Sequence, residues 1–287
     1  MKSLIIALSL TIASNLVNAS CADHFVGGRP PTTRLSEKTH YLCFSSYSVL
    51  ESGQTRTGVW SAEHLTRKAV EGARGISRDN EFRAEDSIAP SDRAELDDYR
   101  HSGGFDRGHL TPSGDAGDPQ SQYETFTLAN VLPQYRDNNR RVWEHLEYAT
   151  RLLAKRVGDI YVVTGPGYTS TAPRYLNARV RIPDFIWKAI DIPGQGAAAY
   201  VTRNDTGQDY AIVSVADITR ISGVDPFPSL SSAVKHVAID LPSPVPHRGE
   251  EADNQLSPSA LFARATERPN DDTARRYRCP GRQYRSD

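Results

Sequence analysis

The sequence Phe-Asp-Arg-Gly-His-Leu at residues 105–110 decides how the rest of the chain is interpreted. Arg107 and His109 are two positions apart, so on a β-strand their side chains point to the same face. Ser-Gly-Gly at residues 102–104 comes directly before, and glycines favour the tight backbone of a turn. We therefore predict a hairpin whose far strand presents His109.

The clearest predicted helix begins near residue 139. One row of apolar residues has the helical period and predicts a face turned towards the core: Val142, Leu146, Ala149 and Leu153. A neighbouring row at steps of four consists of Asn139, Trp143, Glu147 and Arg151. The second face is therefore free for another role, although Trp143 is expected to pack.

Other segments have the composition of β-strands. They are residues 39–49, 160–166, 179–183, 185–190 and 198–202. Residues 213–218 open a further predicted helix. The predicted globular domain covers residues 20–242, and the polar, proline-bearing residues 243–287 are predicted to form an extension that is poorly ordered or loosely docked.

The N-terminus has the features of a secretory signal peptide. Residues 1–19 combine a positive start, an apolar block and small residues before a cut at Ser20. We therefore predict a bacterial-type secreted or periplasmic protein, in which disulfides are permitted. Cys21 and Cys43 flank a loop rich in Gly and Pro and are predicted to pair, which leaves Cys279 free or paired between chains.

Composition limits the classes of function. The 287 residues carry a formal net charge of −1, and loss of Lys2 with the signal peptide makes this −2. Attraction to phosphate therefore has to be local. No internal run approaches the roughly 18 apolar residues of a membrane helix, so no membrane contact is predicted.

His109 is a candidate general base. A lone histidine is most often structural or simply exposed. However, an imidazole with its ordinary pKa of about 6.5 can accept a proton from water at neutral pH. Arg107 on the same strand face can hold a phosphate that the activated water attacks.

Asn139 is a candidate metal ligand. Asparagine at a helix start is most often a cap, but its carbonyl oxygen also suits Mg²⁺, which keeps most of its waters. On a continuous helix Glu147 lies roughly 12 Å further along, so it is expected to act through water or to form a salt bridge. Arg140 and Arg151 make the helix cationic, either as a solvated face or as a track for phosphates.

Several other sites are disfavoured. No set of Cys and His residues has the spacing of a zinc site, and His101 and His145 are expected to be structural. A phosphate-cradling Gly-Lys-Ser loop and a serine nucleophile elbow are also missing.

The ordered set of motifs resembles the DNA/RNA non-specific endonuclease family of the ββα-metal (His-Me finger) superfamily. The resemblance is carried by residues 106–109, residues 128–134, and Asn139 with Trp143 and Glu147. Further similar stretches are residues 161–166, 182–183, 187–188 and 213–218. The resemblance implies an α+β fold with a central antiparallel sheet flanked by helices, and a ββα-metal finger that carries the active site.

The resemblance also implies roles for individual residues. His109 would be the general base, and Asn139 would hold Mg²⁺, for which Mn²⁺ is a substitute. Arg107, Arg151 and Arg78 match arginines near the phosphate.

Three further positions belong to the same motifs. Glu147 matches an acidic residue near the waters of the metal, and Asn130 matches an asparagine of the site region. Asp106 stands within the first motif and is assigned a supporting role.

We therefore expect a secreted Mg²⁺-dependent endonuclease that cuts DNA and RNA through contacts with the phosphate backbone and leaves 5′-phosphate ends. Two alternatives stay open: an exported nucleic-acid-binding protein with a weak or inactive site, and a phosphodiesterase acting on smaller substrates. Whether the chain forms a homodimer, and whether a protein inhibitor binds it, also stays open.

Overall fold

The computed structural model describes residues 21–34, 37–78, 80–100 and 102–263. The predicted signal peptide, His101, Cys279 and the end of the C-terminal extension lie outside these residues. Within the described part, no helix has the length and apolar character needed to cross a membrane.

Strands and helices are numbered in chain order. The strands are β1 (Thr32–Thr33), β2 (Thr39–Cys43), β3 (Tyr47–Ser52), β4 (Thr57–Thr66), β5 (Phe105–His109), β6 (Val131–Tyr135), β7 (Asp159–Gly167), β8 (Arg174–Leu176), β9 (Val180–Ile182), β10 (Phe185–Ile192), β11 (Gly196–Arg203), β12 (Asp209–Val213), β13 (Val224–Asp225) and β14 (Asn254–Gln255). The helices are α1 (Arg67–Ala73), α2 (Pro119–Thr125), α3 (Arg136–Arg140), α4 (Val142–Val157), α5 (Val215–Ser222), α6 (Ser232–His236) and α7 (Pro258–Ala263).

Eight strands form a central sheet in the order β14-β12-β11-β10-β7-β4-β3-β2. Neighbouring strands are antiparallel, except that β14 pairs with β12 in parallel. Strand β10 lies inside the sheet and is buried along its whole length, including its two charged residues, Lys188 and Asp191. The predicted α+β class with a central antiparallel sheet is confirmed.

Residues of the sheet take part in two hydrophobic clusters. In one cluster, Val142, Leu146 and Leu153 of α4 pack with apolar residues of the sheet. In the other, Val215 and Ile218 of α5 do so. The predicted core stripe of α4 is confirmed, because its apolar period matches the turn of the helix.

A ββα unit lies beside this sheet. Strands β5 and β6 form a separate antiparallel ribbon in which His109 is opposite Val131, and α3 and α4 follow β6 directly. The predicted hairpin is wrong in one respect, because His109 ends the first strand of the ribbon. The glycines 103 and 104, at φ 64° and 106°, form a turn before β5, whereas the connection from β5 to β6 is long and contains α2.

The predicted continuous helix is divided in two. Arg141 has φ −126° and ψ −102°, outside the helical region, and separates α3 from α4. Asn139 therefore lies near the end of a short helix rather than at the head of a long one. The estimate of roughly 12 Å between Asn139 and Glu147 assumed one straight rod and does not apply.

The second predicted helix also begins later than its apolar sequence suggested. Val213 ends strand β12, and Ser214 caps α5: its hydroxyl accepts a hydrogen bond from the backbone N–H of Asp217, whose side chain bonds back to Ser214. This reciprocal pair is a capping box, which fixes the first turn of the helix at Val215.

Both ends of the described chain pack against the sheet. Cys21 and Cys43 form the predicted disulfide, with their Cα atoms 6.0 Å apart. The prediction of a loosely docked C-terminal extension is wrong for residues 243–263: β14 adds a strand to the sheet, and Leu261 is fully buried. Its few apolar residues are concentrated in α7, too short a stretch for the apolar period of the sequence to reveal.

Candidate active site

A cleft of about 940 Å³ lies beside the β5–β6 ribbon. Eight of the nine residues selected from the sequence line it: Arg78, Asp106, Arg107, His109, Asn139, Arg140, Glu147 and Arg151. The ribbon supplies three of them, α3 and α4 supply four, and Arg78 comes from the segment after α1. Only Asn130 does not line the cleft.

His109 sits at the end of β5 with its ring packed between two phenylalanines. The ring centroids of Phe82 and Phe126 lie 5.1 and 5.0 Å from that of His109. Burial, together with the charges of Arg78 and Arg107, lowers the pKa of His109 to about 3. Its Nε2 atom is buried without a hydrogen-bond partner among the described residues, so the imidazole is neutral and free to accept a proton.

The same two phenylalanines support the arginines. The Arg107 guanidinium carbon lies 4.3 Å from the ring centroid of Phe82, and that of Arg78 lies 5.5 Å from the ring centroid of Phe126. Neither arginine forms an ion pair with a carboxylate of the described residues; Arg78 Nε donates to the neutral amide oxygen Asn80 Oδ1 at 2.7 Å. These two cations are therefore available to an anion in the cleft.

Asn130 is fully buried and supports the chain that follows His109. Its Oδ1 accepts from the Thr111 N–H at 3.0 Å, and its Nδ2 donates to the carbonyls of Thr111 and Thr125 at 2.9 and 3.0 Å. Its backbone carbonyl also accepts from the Leu110 N–H at 2.9 Å. Asn130 therefore positions the end of β5 and does not reach the cleft.

Asp106 organises one wall of the cleft. It accepts from Asn139 Nδ2 at 3.1 Å and from Arg140 Nε and Nη2 at 2.7 and 3.1 Å. Arg140 is thus committed to a carboxylate and is less available to phosphate than Arg107. The side-chain amide oxygen of Asn139, Oδ1, accepts no hydrogen bond from the described residues. It is therefore free to bind a hydrated divalent cation.

Glu147 and Arg151 on α4 belong to a network of buried charges. Arg151 Nη1 lies 3.2 Å from Asp115 Oδ1, and Arg151 Nη2 lies 3.9 Å from Glu144 Oε1. Burial raises the pKa of Glu147 to about 7, although the charges of Lys188 and Arg151 oppose the rise. The Glu147 carboxyl group is therefore expected to gain or lose its proton near neutral pH.

Sequence reasoning missed the deeper members of this network. Lys188 is fully buried in β10, where its Nζ donates to Thr164 Oγ1 at 2.8 Å and lies 5.4 Å from the ring centroid of Trp143. Burial and the nearby Asp115 raise the pKa of Glu63 well above its ordinary value, against the charge of Lys188. The one sequence signal for this network was Lys188 itself, which lies inside the apolar run of residues 185–190. A lysine is rarely buried without a partner, so its position there indicates a buried acidic or polar group nearby.

A ββα unit with an unpartnered imidazole, free arginines and a free amide oxygen around one cleft defines a ββα-metal nuclease. The chain belongs to the DNA/RNA non-specific endonuclease family, whose pattern matches residues 29–233. It is accordingly a metal-dependent endonuclease, a hydrolase of phosphodiester bonds.

Several characterised nucleases are similar to this chain. Nuclease C1 of Cunninghamella echinulata var. echinulata is 36% identical over 186 residues, which is 60% of this chain and 71% of that protein. The mitochondrial nuclease of Saccharomyces cerevisiae is 42% identical over 162 residues, 55% of this chain but 46% of that protein. Human mitochondrial endonuclease G is 35% identical over 141 residues, 48% of this chain and 44% of that protein.

A solved structure has a similar fold. In the crystal structure of the EndoG/EndoGI complex, which concerns the mechanism of EndoG inhibition, one chain superposes with a TM-score of 0.59 at 27% identity. The match covers 68% of this chain and 88% of that chain.

Proposed function

We propose that this protein is a secreted, Mg²⁺-dependent endonuclease that hydrolyses DNA and RNA with little sequence preference. The observation that carries the proposal is the shared cleft. In it, the unpartnered Nε2 of His109 and the free side-chain oxygen of Asn139 occur together with two arginines that have no carboxylate partner among the described residues. The family to which the chain belongs supports the substrate class.

In this proposal, Arg107 and Arg78 bind the scissile phosphate through charge-assisted hydrogen bonds. Burial lowers the pKa of His109 most, and the charges of the two arginines lower it further. A bound phosphate neutralises these two charges, so it removes their share of the lowering of the His109 pKa, whereas the share due to burial remains. His109 then removes a proton from the attacking water.

Asn139 would hold Mg²⁺ through its carbonyl oxygen, and water molecules would complete the coordination. When bound, the ion supplies positive charge to the developing charge on the phosphate and the departing 3′ oxygen. Glu147, as a carboxylate, would accept hydrogen bonds from water molecules bound to such an ion. Cleavage on this side of the phosphorus leaves a 5′-phosphate end.

The arrangement also accounts for low sequence preference. The charged groups of the cleft are suited to phosphate, and backbone contacts carry no sequence information. The protein has a formal net charge of −1, so binding depends on the local charge of the cleft.

The experiment compares cleavage of plasmid DNA, long RNA and a dinucleotide, with Mg²⁺, with Mn²⁺ and with a chelator. We expect both polymers to be cut, cutting to stop with chelator, and the products to carry 5′-phosphates. A protein that binds the polymers without cutting them in any metal would be the exported binding protein considered above. Faster turnover of the dinucleotide than of the polymers would instead identify a small-substrate phosphodiesterase.

Export is a separate part of the proposal. The Cys21–Cys43 disulfide supports it, because such bonds persist mainly in oxidising compartments. N-terminal sequencing of protein recovered from the medium or periplasm is expected to begin at Ser20. A protein that retains Met1 and stays in the cytoplasm would contradict it.

The EndoG/EndoGI complex supports a search for a protein inhibitor of this chain. Formation of a homodimer is a separate question. Light scattering at increasing protein concentration measures it. A constant monomer mass would remove the dimer from the proposal.

A further inference from the structure

A cluster of imidazoles and carboxylates lies where the C-terminal segment crosses α4. Glu144 and His145 come from α4, and His247, Glu250 and Asp253 come from the segment. Ligand atoms of Glu144, His145 and His247 all lie within 4.8 Å of one another. Of the five residues, only Glu144 lines the catalytic cleft. The three residues of the segment lie beyond residue 233, where the family match ends.

His145 is fully buried and is held by a carboxylate on each ring nitrogen. Nδ1 lies 2.8 Å from Asp253 Oδ2, and Nε2 lies 2.7 Å from Glu250 Oε2. The Asp253 side chain is also fully buried. A carboxylate on one ring nitrogen orients a histidine to bind a metal ion through the other. Asp253 would have this role on Nδ1, and a metal ion bound to Nε2 would replace the direct contact with Glu250.

The second pair in the cluster, Glu144 and His247, is not hydrogen-bonded. Glu144 Oε2 lies 2.7 Å from His247 Nε2, yet this buried oxygen has no hydrogen-bond partner among the described residues. The distance suits a hydrogen bond, but the direction does not, so the two atoms are close without being aimed at each other. Protonated His247 would form an ion pair with this oxygen. With His247 neutral, the buried oxygen costs free energy unless a bound cation satisfies it.

We propose that Glu144, His145, His247 and Glu250 bind a zinc ion that fastens the C-terminal segment to α4. Two imidazoles and two carboxylates form a donor set suited to four-coordinate Zn²⁺, whereas Mg²⁺ prefers oxygen ligands and water. Tetrahedral bonds of about 2.0–2.2 Å place donor atoms roughly 3.4 Å apart. Ligand atoms of Glu144, His145 and His247 lie within 4.8 Å of one another, and Glu144 Oε2 is 2.7 Å from His247 Nε2, so these separations lie on either side of that value. Glu250 Oε2 lies 2.7 Å from His145 Nε2 and would complete the set from there.

The zinc site has a structural consequence for the cleft. Four protein ligands close the coordination sphere, which is typical of a structural zinc rather than a catalytic one. Glu144 Oε1 lies 3.9 Å from Arg151 Nη2, so the ion also fixes a carboxylate beside the catalytic helix face. The inference does not depend on the proposed nuclease mechanism.

The test measures zinc binding by the full chain after removal of metal with a chelator. Isothermal titration gives stoichiometry and affinity, and thermal unfolding gives the shift in Tm. The variants are His247→Ala, which removes an exposed ligand, and Asp253→Asn, which weakens the support of His145. The controls are His236→Ala, an exposed histidine on α6, and Asn139→Ala, which removes the proposed Mg²⁺ ligand.

We expect the wild-type protein and both controls to bind a single zinc ion with a rise in Tm. His247→Ala should lose this binding, and Asp253→Asn should weaken it by about 10- to 100-fold. Equal zinc affinity in His247→Ala and wild type, or no zinc binding by the wild type, would overturn the proposal. If His247→Ala proves unfolded without metal, Glu250→Gln takes its place and carries the same expectation.

Discussion

Two phenylalanines fix the position of His109, and burial, reinforced by two arginines, keeps its imidazole neutral. The alternation of a strand was enough to predict that Arg107 and His109 share a face, because that relation is local. Phe82 and Phe126 enclose the imidazole from distant parts of the chain. Such contacts leave no local pattern in the sequence. The sequence therefore predicted the chemical groups of the site, but not the two phenylalanines whose packing buries His109 and lowers its pKa.

Replacing His109 with Ala removes the proposed base. We expect kcat to fall by at least about 10²-fold, the lower range of general-base contributions, while the fold is retained. Initial rates on plasmid with saturating Mg²⁺ measure the loss, and circular dichroism reports the fold. The exposed His236→Ala serves as the matched control. A folded His109→Ala enzyme with near-native turnover would exclude His109 from the mechanism.

Replacing Asn139 with Ala removes the free amide oxygen. We expect a higher Mg²⁺ concentration for half-maximal rate and a lower maximal rate, because no other uncommitted amide oxygen was identified beside His109 in the described cleft. A Mg²⁺ titration of activity measures both. Asn254→Ala is a suitable control, since Asn254 is exposed in β14 and bonds to Asp209 instead. Unchanged metal dependence in Asn139→Ala would mean that another group holds the ion.

At the scale of secondary-structure elements, features set by residues close together in the sequence were predicted correctly, whereas features set by distant residues were not. The core stripe of α4 was predictable, because periodicity along one helix is a local property. The break at Arg141 was not, since residues 139–147 contain neither Gly nor Pro. The C-terminal segment was misjudged for a related reason: its order comes from tertiary contacts, such as those of Asp253 with His145, more than 100 positions away.

The packing of β10 against α4 gives a prediction about pH. Lys188 in β10 is the leading charge that opposes the rise in the pKa of Glu147 to about 7. Lys188→Met removes that charge, so the pKa of Glu147 should rise further. Because the proposed role of Glu147 requires its carboxylate form, the acidic limb of the rate profile should move to higher pH.

The measurement is kcat/KM against pH, which reports the groups of the free enzyme. Lys155→Met is the control: Lys155 lies on α4 but is not among the charges that act on Glu147. An acidic limb that stays in place, or moves to lower pH, in folded Lys188→Met would show that Glu147 does not need to be ionised.

At the scale of the whole molecule, the two ends of the described chain meet in one hydrophobic cluster. Phe25, which lies shortly after Cys21, and Leu261, in α7, are both buried in the hydrophobic cluster that contains Val215 and Ile218 of α5. Neither lies within the family match of residues 29–233. The additional segments therefore extend the core of the shared domain rather than forming a unit of their own.

The N-terminal segment is held in addition by Cys21–Cys43, which closes a loop with a sequence separation of 22. The chain-entropy relation for a loop of this length gives about 3 kcal/mol of stability, because the cross-link restricts the unfolded chain. The double variant Cys21→Ser, Cys43→Ser should therefore unfold at lower denaturant concentration by that free energy. Neither cysteine lines the cleft, so turnover under native conditions should be retained. Adding a reductant should destabilise the wild type to the same extent and leave the stability of the double variant unchanged. A loss of stability in the double variant on reduction would contradict this. It would show that another cross-link, which involves Cys279, contributes to stability.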